Sequence, residues 1–238
     1  MTRVEMTTPE TRPTAPGPLG VLQQFMNSGH LGSALGVEPE TAAEVRERAA
    51  AGEHSATLAK EFGIGRMLVS ALGRGAPMFD ELATAEAAAE WLRNHELLGA
   101  SDSIDRDALV QLTEFRELLR ALAVANAHGE RGEEALRDLS VLVADVAVVA
   151  ASDGKGALEL QPTGAGAKQA IGRLLVSLYD AMHDGSWKRL KRCPGVGCPF
   201  TFYDSSRNRT SVWCSMSVCG NRAKVRNYQQ RSRAGRVK

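Results

Sequence analysis

The chain has 238 residues, 43% of them hydrophobic, so it is long enough for a core and too apolar for wholesale disorder. Its net charge of +1 is divided unequally between two parts of the chain. Residues 186–238 carry thirteen Lys and Arg against one acid, Asp204, giving +12. Residues 1–185 carry sixteen basic and twenty-seven acidic residues, giving −11. A segment this basic indicates an anionic partner, most commonly a phosphate polymer, with a solvated basic tail as the alternative.

The first 52 residues are predicted to form a leader followed by short elements of secondary structure. Residues 1–18 contain four prolines and few apolar side chains, which indicates a flexible leader. Residues 19–26 form a short apolar stretch, compatible with a strand or a helix, that ends at Asn27-Ser28-Gly29. Residues 41–51 are compatible with a helix that closes at Gly52.

Residues 55–74 have the spacing of a helix-turn-helix, with Gly63 at the turn. The positions that would pack the two helices together recur at helical spacing: Leu58, Ala59, Phe62, Ile64, Val69 and Leu72. Arg66 and Ser70 on the second helix are candidate DNA contacts, although that helix offers few groups for base edges. A purely structural helical pair is equally compatible with the pattern. Residues 52–75 resemble the helix-turn-helix of resolvase-type recombinases.

The region from residue 84 to residue 185 predicts helices and one small β-hairpin. The clearest helix covers residues 105–128, where leucines repeat at helical spacing and Arg116 and Arg120 fall among the charged residues of the other faces. Thr84 is a candidate N-cap for the helix before it. The remaining predicted elements are a helix from Thr84 to Leu98, helices over residues 133–145 and 168–183, and a hairpin that turns at residues 152–156.

All four cysteines lie within 27 residues near the C-terminus. They form two Cys-x(4)-Cys pairs, Cys193 with Cys198 and Cys214 with Cys219, separated by fifteen residues. Four thiolates on two turn-rich knuckles match the tetrahedral coordination of structural zinc, and four protein ligands leave no position for a catalytic water. Without an export signal, clustered cysteines bind metal more often than they form disulfides. We therefore predict one structural zinc per chain, bound as the segment folds.

Motifs around these cysteines carry a family resemblance. Over roughly residues 190–231 the chain resembles the CGNR zinc finger. The motifs that carry this resemblance are Asp204-Ser205-Ser206-Arg207-Asn208-Arg209, Trp213-Cys214-Ser215-Met216 and Cys219-Gly220-Asn221-Arg222-Ala223-Lys224. In that family the finger follows a helical domain called ABATE. This chain resembles the ABATE domain at Phe25-Met26-Asn27-Ser28, at residues 90–99 and at residues 115–119. The resemblance implies a stress-induced transcriptional regulator. Residues 41–75 would then be an insertion in the ABATE-like domain.

Cations of the basic segment are candidate nucleic-acid contacts. If the chain is helical from Gly220 onward, Arg222, Lys224 and Arg226 share a broad face, and Arg222 and Arg226 are i,i+4 neighbours. Asn221 either caps that helix or contacts DNA. The remaining candidates in this segment, Arg207 and Arg209, lie in the loop between the knuckles.

The predicted fold is mainly α. A flexible leader at residues 1–18 precedes a helical ABATE-like domain with a small β-hairpin at residues 19–185. A small treble-knuckle-like zinc finger occupies residues 186–238.

The predicted function is transcriptional regulation, with double-stranded DNA bound by the basic face of the finger. One alternative is a zinc-stabilised module that docks on an acidic partner or on the chain's own acidic domain. Another is RNA binding in which Phe202, Tyr203 and Trp213 stack on bases. No constellation of residues supports an enzyme. The longest apolar run, residues 141–151, is too short for a membrane span, so we expect a cytoplasmic protein. The interpretation allows a small-molecule effector in the helical domain and an oligomer.

Overall fold

The computed structural model describes residues 13–30, 39–63, 69, 79–195, 198 and 200–234. Over these residues the chain is mainly α, as predicted. The helices are α1 Pro18–Asn27, α2 Pro39–Ala50, α3 Ser55–Glu61, α4 Ala85–Asn94, α5 Arg106–His128, α6 Glu133–Leu142, α7 Gly166–His183 and α8 Asn221–Ala234. The strands are β1 Gly29–His30, β2 Phe79–Asp80, β3 Val148–Ser152, β4 Leu158–Pro162, β5 Leu190–Arg192 and β6 Thr201–Tyr203, which pair antiparallel as β1–β2, β3–β4 and β5–β6.

The main hydrophobic core lies among helices α1, α4, α5 and α7. Phe25 of α1 is fully buried, and its ring lies 5.6 Å from Trp91 of α4 and 6.0 Å from Phe115 of α5, between ring centroids. Such tilted aromatic pairs add to the free energy gained by burying apolar area. The apolar stretch that is compatible with a strand or a helix is therefore helix α1, and it belongs to the core.

One helix has its predicted N-cap, and two helices end earlier than predicted at their C-termini. The Thr84 hydroxyl accepts a hydrogen bond from the Ala87 amide, which confirms it as an N-cap. Helix α4 nevertheless ends at Asn94 rather than Leu98, because Glu96 adopts a left-handed backbone with φ of 58°. Helix α6 likewise ends at Leu142, three residues before the predicted end.

Two arginines that we placed among the charged residues of the other faces of α5, away from the leucines, are buried. Arg116 donates to both carboxylate oxygens of Asp80, at 2.6 and 2.7 Å. Arg120 donates from Nε to the carbonyl of Met26 and from a terminal nitrogen to the carbonyl of Gly29, each at 2.6 Å. The partners lie far away in sequence, so local periodicity does not reveal them. Together these bonds join α5 to the end of α1 and to β2.

The first half of the predicted helix-turn-helix is present. Helix α3 ends at Glu61, and Gly63 has a φ of 65°, the left-handed backbone that such a turn requires. Arg48 of α2 holds this region through ion pairs with Glu53 and Glu61. The proposed DNA contacts Arg66 and Ser70 lie outside the described residues, so the second helix stays a prediction.

The predicted hairpin is confirmed as strands β3 and β4, five residues each. Its Asp153 carboxylate accepts hydrogen bonds from the amides of Lys155 and Ala157, which closes the turn. The base of the hairpin lies against α7 at Gly172, where an added Cβ would come 2.5 Å from the Cβ of Pro162. This contact requires glycine at position 172.

The core continues past the predicted boundary at residue 186. Trp187 and Leu190 are buried in the same cluster as the helices. The Asn126 side chain of α5 donates to both of their carbonyls at 2.9 Å. The basic segment is therefore anchored in the helical unit before its first cysteine.

A second junction joins the helical unit to β6. The Asn27 side-chain amide donates to the Thr201 carbonyl at 2.8 Å and accepts from the Thr201 amide at 2.9 Å, as a neighbouring strand would. The end of the predicted leader also takes part, because the Pro13 carbonyl accepts from the Tyr203 amide and Ala15 is buried.

Candidate metal centre and basic surface

The first cysteine pair lies at the turn of the β5–β6 hairpin. The Cys193 amide donates to the Phe200 carbonyl at 3.0 Å, which closes the hairpin beyond its last strand pair. The Cys198 amide donates to the Gly195 carbonyl at 2.8 Å and forms a tight knuckle. A Cβ at Gly195 would come 3.2 Å from the Cys219 sulfur, closer than ordinary van der Waals contact. Any larger residue at position 195 would therefore press on Cys198 and Cys219 and would have to displace them slightly.

The second pair lies at the start of the C-terminal helix. The Ser215 hydroxyl accepts from the Val218 amide and caps a π-helical turn, Met216–Gly220, that runs directly into α8. Cys214 precedes this cap and Cys219 falls within the turn. The helix thereby fixes Cys219 opposite the first knuckle.

The four sulfurs have the spacing of a tetrahedral metal site. All four lie within 4.8 Å of one another, with Cys198–Cys214 at 3.5 Å and Cys214–Cys219 at 3.7 Å. A zinc ion about 2.3 Å from each of four tetrahedral sulfurs would place those sulfurs roughly 3.8 Å apart. A disulfide would need about 2.05 Å, and the cysteines are free. The residues therefore fit one structural zinc, as predicted.

The pKa values of the thiols show how a bound cation would change the cysteine cluster. Hydrogen bonds from Cys198 and Cys214 lower the pKa of Cys193 to about 2. The hydrogen bond with Cys193 and burial raise the pKa of Cys198, and the same partner helps raise the pKa of Cys214 to about 12. Thiolates this close to one another repel, so ionising one sulfur opposes ionisation of its neighbours. Zinc would stabilise all four thiolates and release the protons.

Asp204 organises the loop that carries two of the predicted DNA contacts. Its side chain is fully buried and pairs with Lys191 at 2.6 Å. The carboxylate also accepts from the Ser206 amide and hydroxyl and from the Ser211 amide. Burial raises the pKa of Asp204, but the bonds from Lys191 and Ser206 outweigh it and hold this pKa at about 2. The only acid of the basic segment is therefore an internal anchor.

The loop held by Asp204 exposes its arginines. Arg207 and Arg209 are both exposed, and Arg209 adopts a left-handed backbone with φ of 57°. The Arg209 carbonyl accepts from Lys191 at 2.7 Å, which ties this strained residue to the same anchor. The arrangement turns the side chains outward while the backbone stays fixed.

Helix α8 carries the other predicted contacts, and its helical state is confirmed. Arg222 and Lys224 are exposed and Arg226 is half-buried. Asn221 is not the N-cap, because that position belongs to Ser215 at the start of the π-helical turn. Its side-chain amide instead donates to the Ser217 carbonyl at 3.0 Å.

The three aromatic residues proposed for base stacking differ from one another in how far they are buried. Phe202 is 1% exposed and packs on the cysteine cluster, so that assignment was wrong for Phe202. Tyr203 and Trp213 are half-buried, and Tyr203 lies beneath the Arg189 guanidinium, 5.9 Å from the ring centroid. The sequence analysis did not assign structural roles to Lys191 and Asp204. The single acid in a segment of thirteen cations was the signal that could have found them.

These features define a helical protein with a C-terminal four-cysteine zinc finger. Comparison with protein families gives two matches: the CGNR zinc finger over residues 189–232, and ABATE, described as a putative stress-induced transcription regulator, over residues 66–182. The chain therefore combines a match to the ABATE domain with a C-terminal match to the CGNR zinc finger, as the sequence motifs predicted. The ABATE match begins within residues 41–75, so the proposed insertion and the early motif at residues 25–28 stay predictions. A search of curated proteins gives no significant match.

Proposed function

We propose that this protein is a transcriptional regulator that binds duplex DNA through the basic surface of its zinc finger. This surface consists of Arg207 and Arg209 on the loop and Arg222, Lys224 and Arg226 on α8. The helical unit and the zinc site hold the surface in place and take no part in chemistry, so the proposal is of a non-enzymatic role.

The observation that carries the proposal is that these cations have no partner of opposite charge in the part of the chain that the structure describes. None of the five forms an ion pair with a carboxylate among the described residues. The only acid of the segment is buried and already engaged by Lys191. A concentration of exposed, unneutralised cations repels itself, and a polyanion removes that repulsion by releasing condensed counterions.

The same observation bears on the acidic-partner alternative. The basic surface is not folded back on the acidic helical unit in the described part of the chain. A separate acidic protein remains a competing partner, and the experiment below distinguishes it. RNA binding loses one of its three aromatic candidates, because Phe202 is buried.

The test measures binding of full-length, zinc-loaded protein to fluorescent duplex DNA over a series of salt concentrations. Four to six engaged cations give a log–log slope of about −4 to −5, at roughly −0.9 per phosphate contact. The double variant Arg222→Ala, Arg226→Ala should flatten the slope by about two at unchanged zinc content. Arg131→Ala, Arg137→Ala removes the same charge from exposed positions of the helical unit and should leave the slope unchanged.

No duplex binding even at low salt would overturn the proposal. Tighter binding of single-stranded RNA than of duplex DNA would favour the RNA alternative. Binding to an acidic peptide with no affinity for DNA would favour the protein-interaction alternative.

The proposal extends to location, effector and assembly. A regulator of this kind meets chromosomal DNA in the cytoplasm, and none of the described helices is long and apolar enough to cross a membrane. A small-molecule effector of the helical unit and an oligomer remain part of the proposal. One surface cleft of about 470 Å³, between the starts of α5 and α7, is lined by Asp105, Asp107 and Lys168, among others.

A further inference from the structure

An exposed apolar strip runs along the same helix that carries the cations. Val218 in the π-helical turn is 40% exposed and Val225 of α8 is 55% exposed. A shallow groove of about 480 Å³ follows the strip, with Val218, Val225 and Gln229 among its lining residues. Binding of phosphates accounts for arginines and lysines but not for valines on the same face.

The cations lie on both sides of this strip. At about 3.6 residues per turn of α8, Arg222 and Arg226 fall on one side of Val225, where they also line the groove. Lys224 and Arg231 fall on the other side. The helix face therefore has an apolar centre between two basic edges.

This order of charges matches the major groove of duplex DNA. The groove is about 12 Å wide and admits a helix, which is roughly 10–12 Å across with its side chains. Phosphates line both edges of the groove. The apolar group on its floor is the C5-methyl of thymine, which the minor groove does not present.

We propose that α8 lies in the major groove and that Val218 and Val225 contact thymine methyl groups, so that the protein prefers sites with thymine at defined positions. This inference rests on the proposed binding of duplex DNA by the same surface. It goes further in naming the groove, the chemical group that is read and the residues that read it. Phosphate contacts from the flanking cations position the helix, and the valines supply selectivity.

The test uses the duplex most enriched by full-length protein from a pool of random sequences. A matched duplex carries uracil in place of each thymine, which deletes the methyl groups and keeps base pairing. Wild type should bind the uracil duplex about fourfold more weakly for each contacted methyl, the value of one buried methyl. Val225→Ala should weaken binding to the thymine duplex about fourfold and should reduce the difference between the two duplexes.

Val212→Ala is the matched control. Val212 is 52% exposed on the same finger but lies outside α8, so this variant should keep the full wild-type preference for thymine. Equal zinc content and equal melting temperatures for the two variants would show that folding is not the cause.

Three results would overturn the inference. They are a selection that returns no preferred sequence, an affinity that uracil substitution leaves unchanged, and a thymine preference that persists in both Val218→Ala and Val225→Ala. In each case wild type would still bind duplexes at low salt, and the proposed function would stand. Absence of any duplex binding at low salt would remove both proposals together.

Discussion

Replacing Asp204 with asparagine tests whether one buried carboxylate organises the basic loop. The change keeps the size of the side chain and removes its charge. It leaves Lys191, whose side chain is 13% exposed, without the one ionic partner that it has among the described residues. The carboxylate oxygen that accepts from Lys191 also accepts from the Ser211 amide at 3.0 Å, and an amide nitrogen at that position would repel both donors.

The expected cost is substantial. Breaking a buried ion pair by removing one partner costs about 3–5 kcal/mol. Lys191 keeps hydrogen bonds to the carbonyls of Arg209 and Ser211, so we expect the low end, about 3 kcal/mol. For cooperative unfolding of a chain of this size, that corresponds to a fall in melting temperature of roughly 6–12 °C.

The assay combines calorimetry with hydrogen exchange of residues 204–211. Asp204→Asn should speed exchange of the Ser206 and Ser211 amides and flatten the DNA salt slope, because Arg207 and Arg209 lose their fixed backbone. Asp153→Asn is the matched control, since Asp153 closes the β3–β4 turn with two amide bonds and forms no ion pair among the described residues. If both variants melt at the same temperature and hydrogen exchange in the Asp204 loop is unchanged, Asp204 does not anchor the loop.

Two further predictions concern the zinc site and the core. Reduced, freshly purified protein should contain about one zinc per chain by elemental analysis, and Cys219→Ser should remove it and disorder the finger; stoichiometric zinc retained by that variant would contradict the four-ligand site. Asp80→Asn should cost about 3 kcal/mol, because the buried Arg116 loses its bidentate charged partner and keeps the Ser28 hydroxyl at 3.1 Å and the Glu117 carboxylate at 3.3 Å. Burial raises the pKa of Asp80, but Arg116 lowers it by more, so the folded-state pKa lies below its usual value. The stability that the ion pair contributes is therefore present above about pH 4 and is lost as the pH falls below that value. Acid unfolding of wild type but not of Asp80→Asn should show this dependence, and identical acid profiles would refute it.

The parts of the fold that the sequence predicted are those with local causes. Helix α5 is marked by leucines at helical spacing, by Asp105 as its N-cap and by Gly129 in the left-handed conformation at its end. The zinc site follows from four cysteines whose spacing suits two knuckles. Each of these signals involves residues near one another in the chain, or a residue type with a narrow range of uses.

The parts that the sequence did not predict depend on distant partners. Arg116 and Arg120 fall on polar positions of α5, and their burial depends on Asp80 and on carbonyls at the end of α1. Strands β1 and β2 have two residues each, too few for an alternating pattern. The Asn27 side chain pairs with the backbone of Thr201, 174 residues away, and neither residue lies in a periodic pattern that would reveal the contact.

The position of the β5–β6 hairpin determines how far the loss of zinc should spread. Leu190 of β5 is buried in the helical core, whereas Phe202 of β6 packs on the cysteines. Separate cores would let the finger unfold alone, but this hairpin belongs to both. Without zinc, the cysteine cluster and α8 lose their support, since α8 begins at the turn that contains Cys219. The hairpin itself keeps Leu190, the Asn126 bonds and the Asn27 pairing with Thr201. The zinc ion is therefore needed for the α8 part of the basic surface rather than for the attachment of the finger to the helical unit.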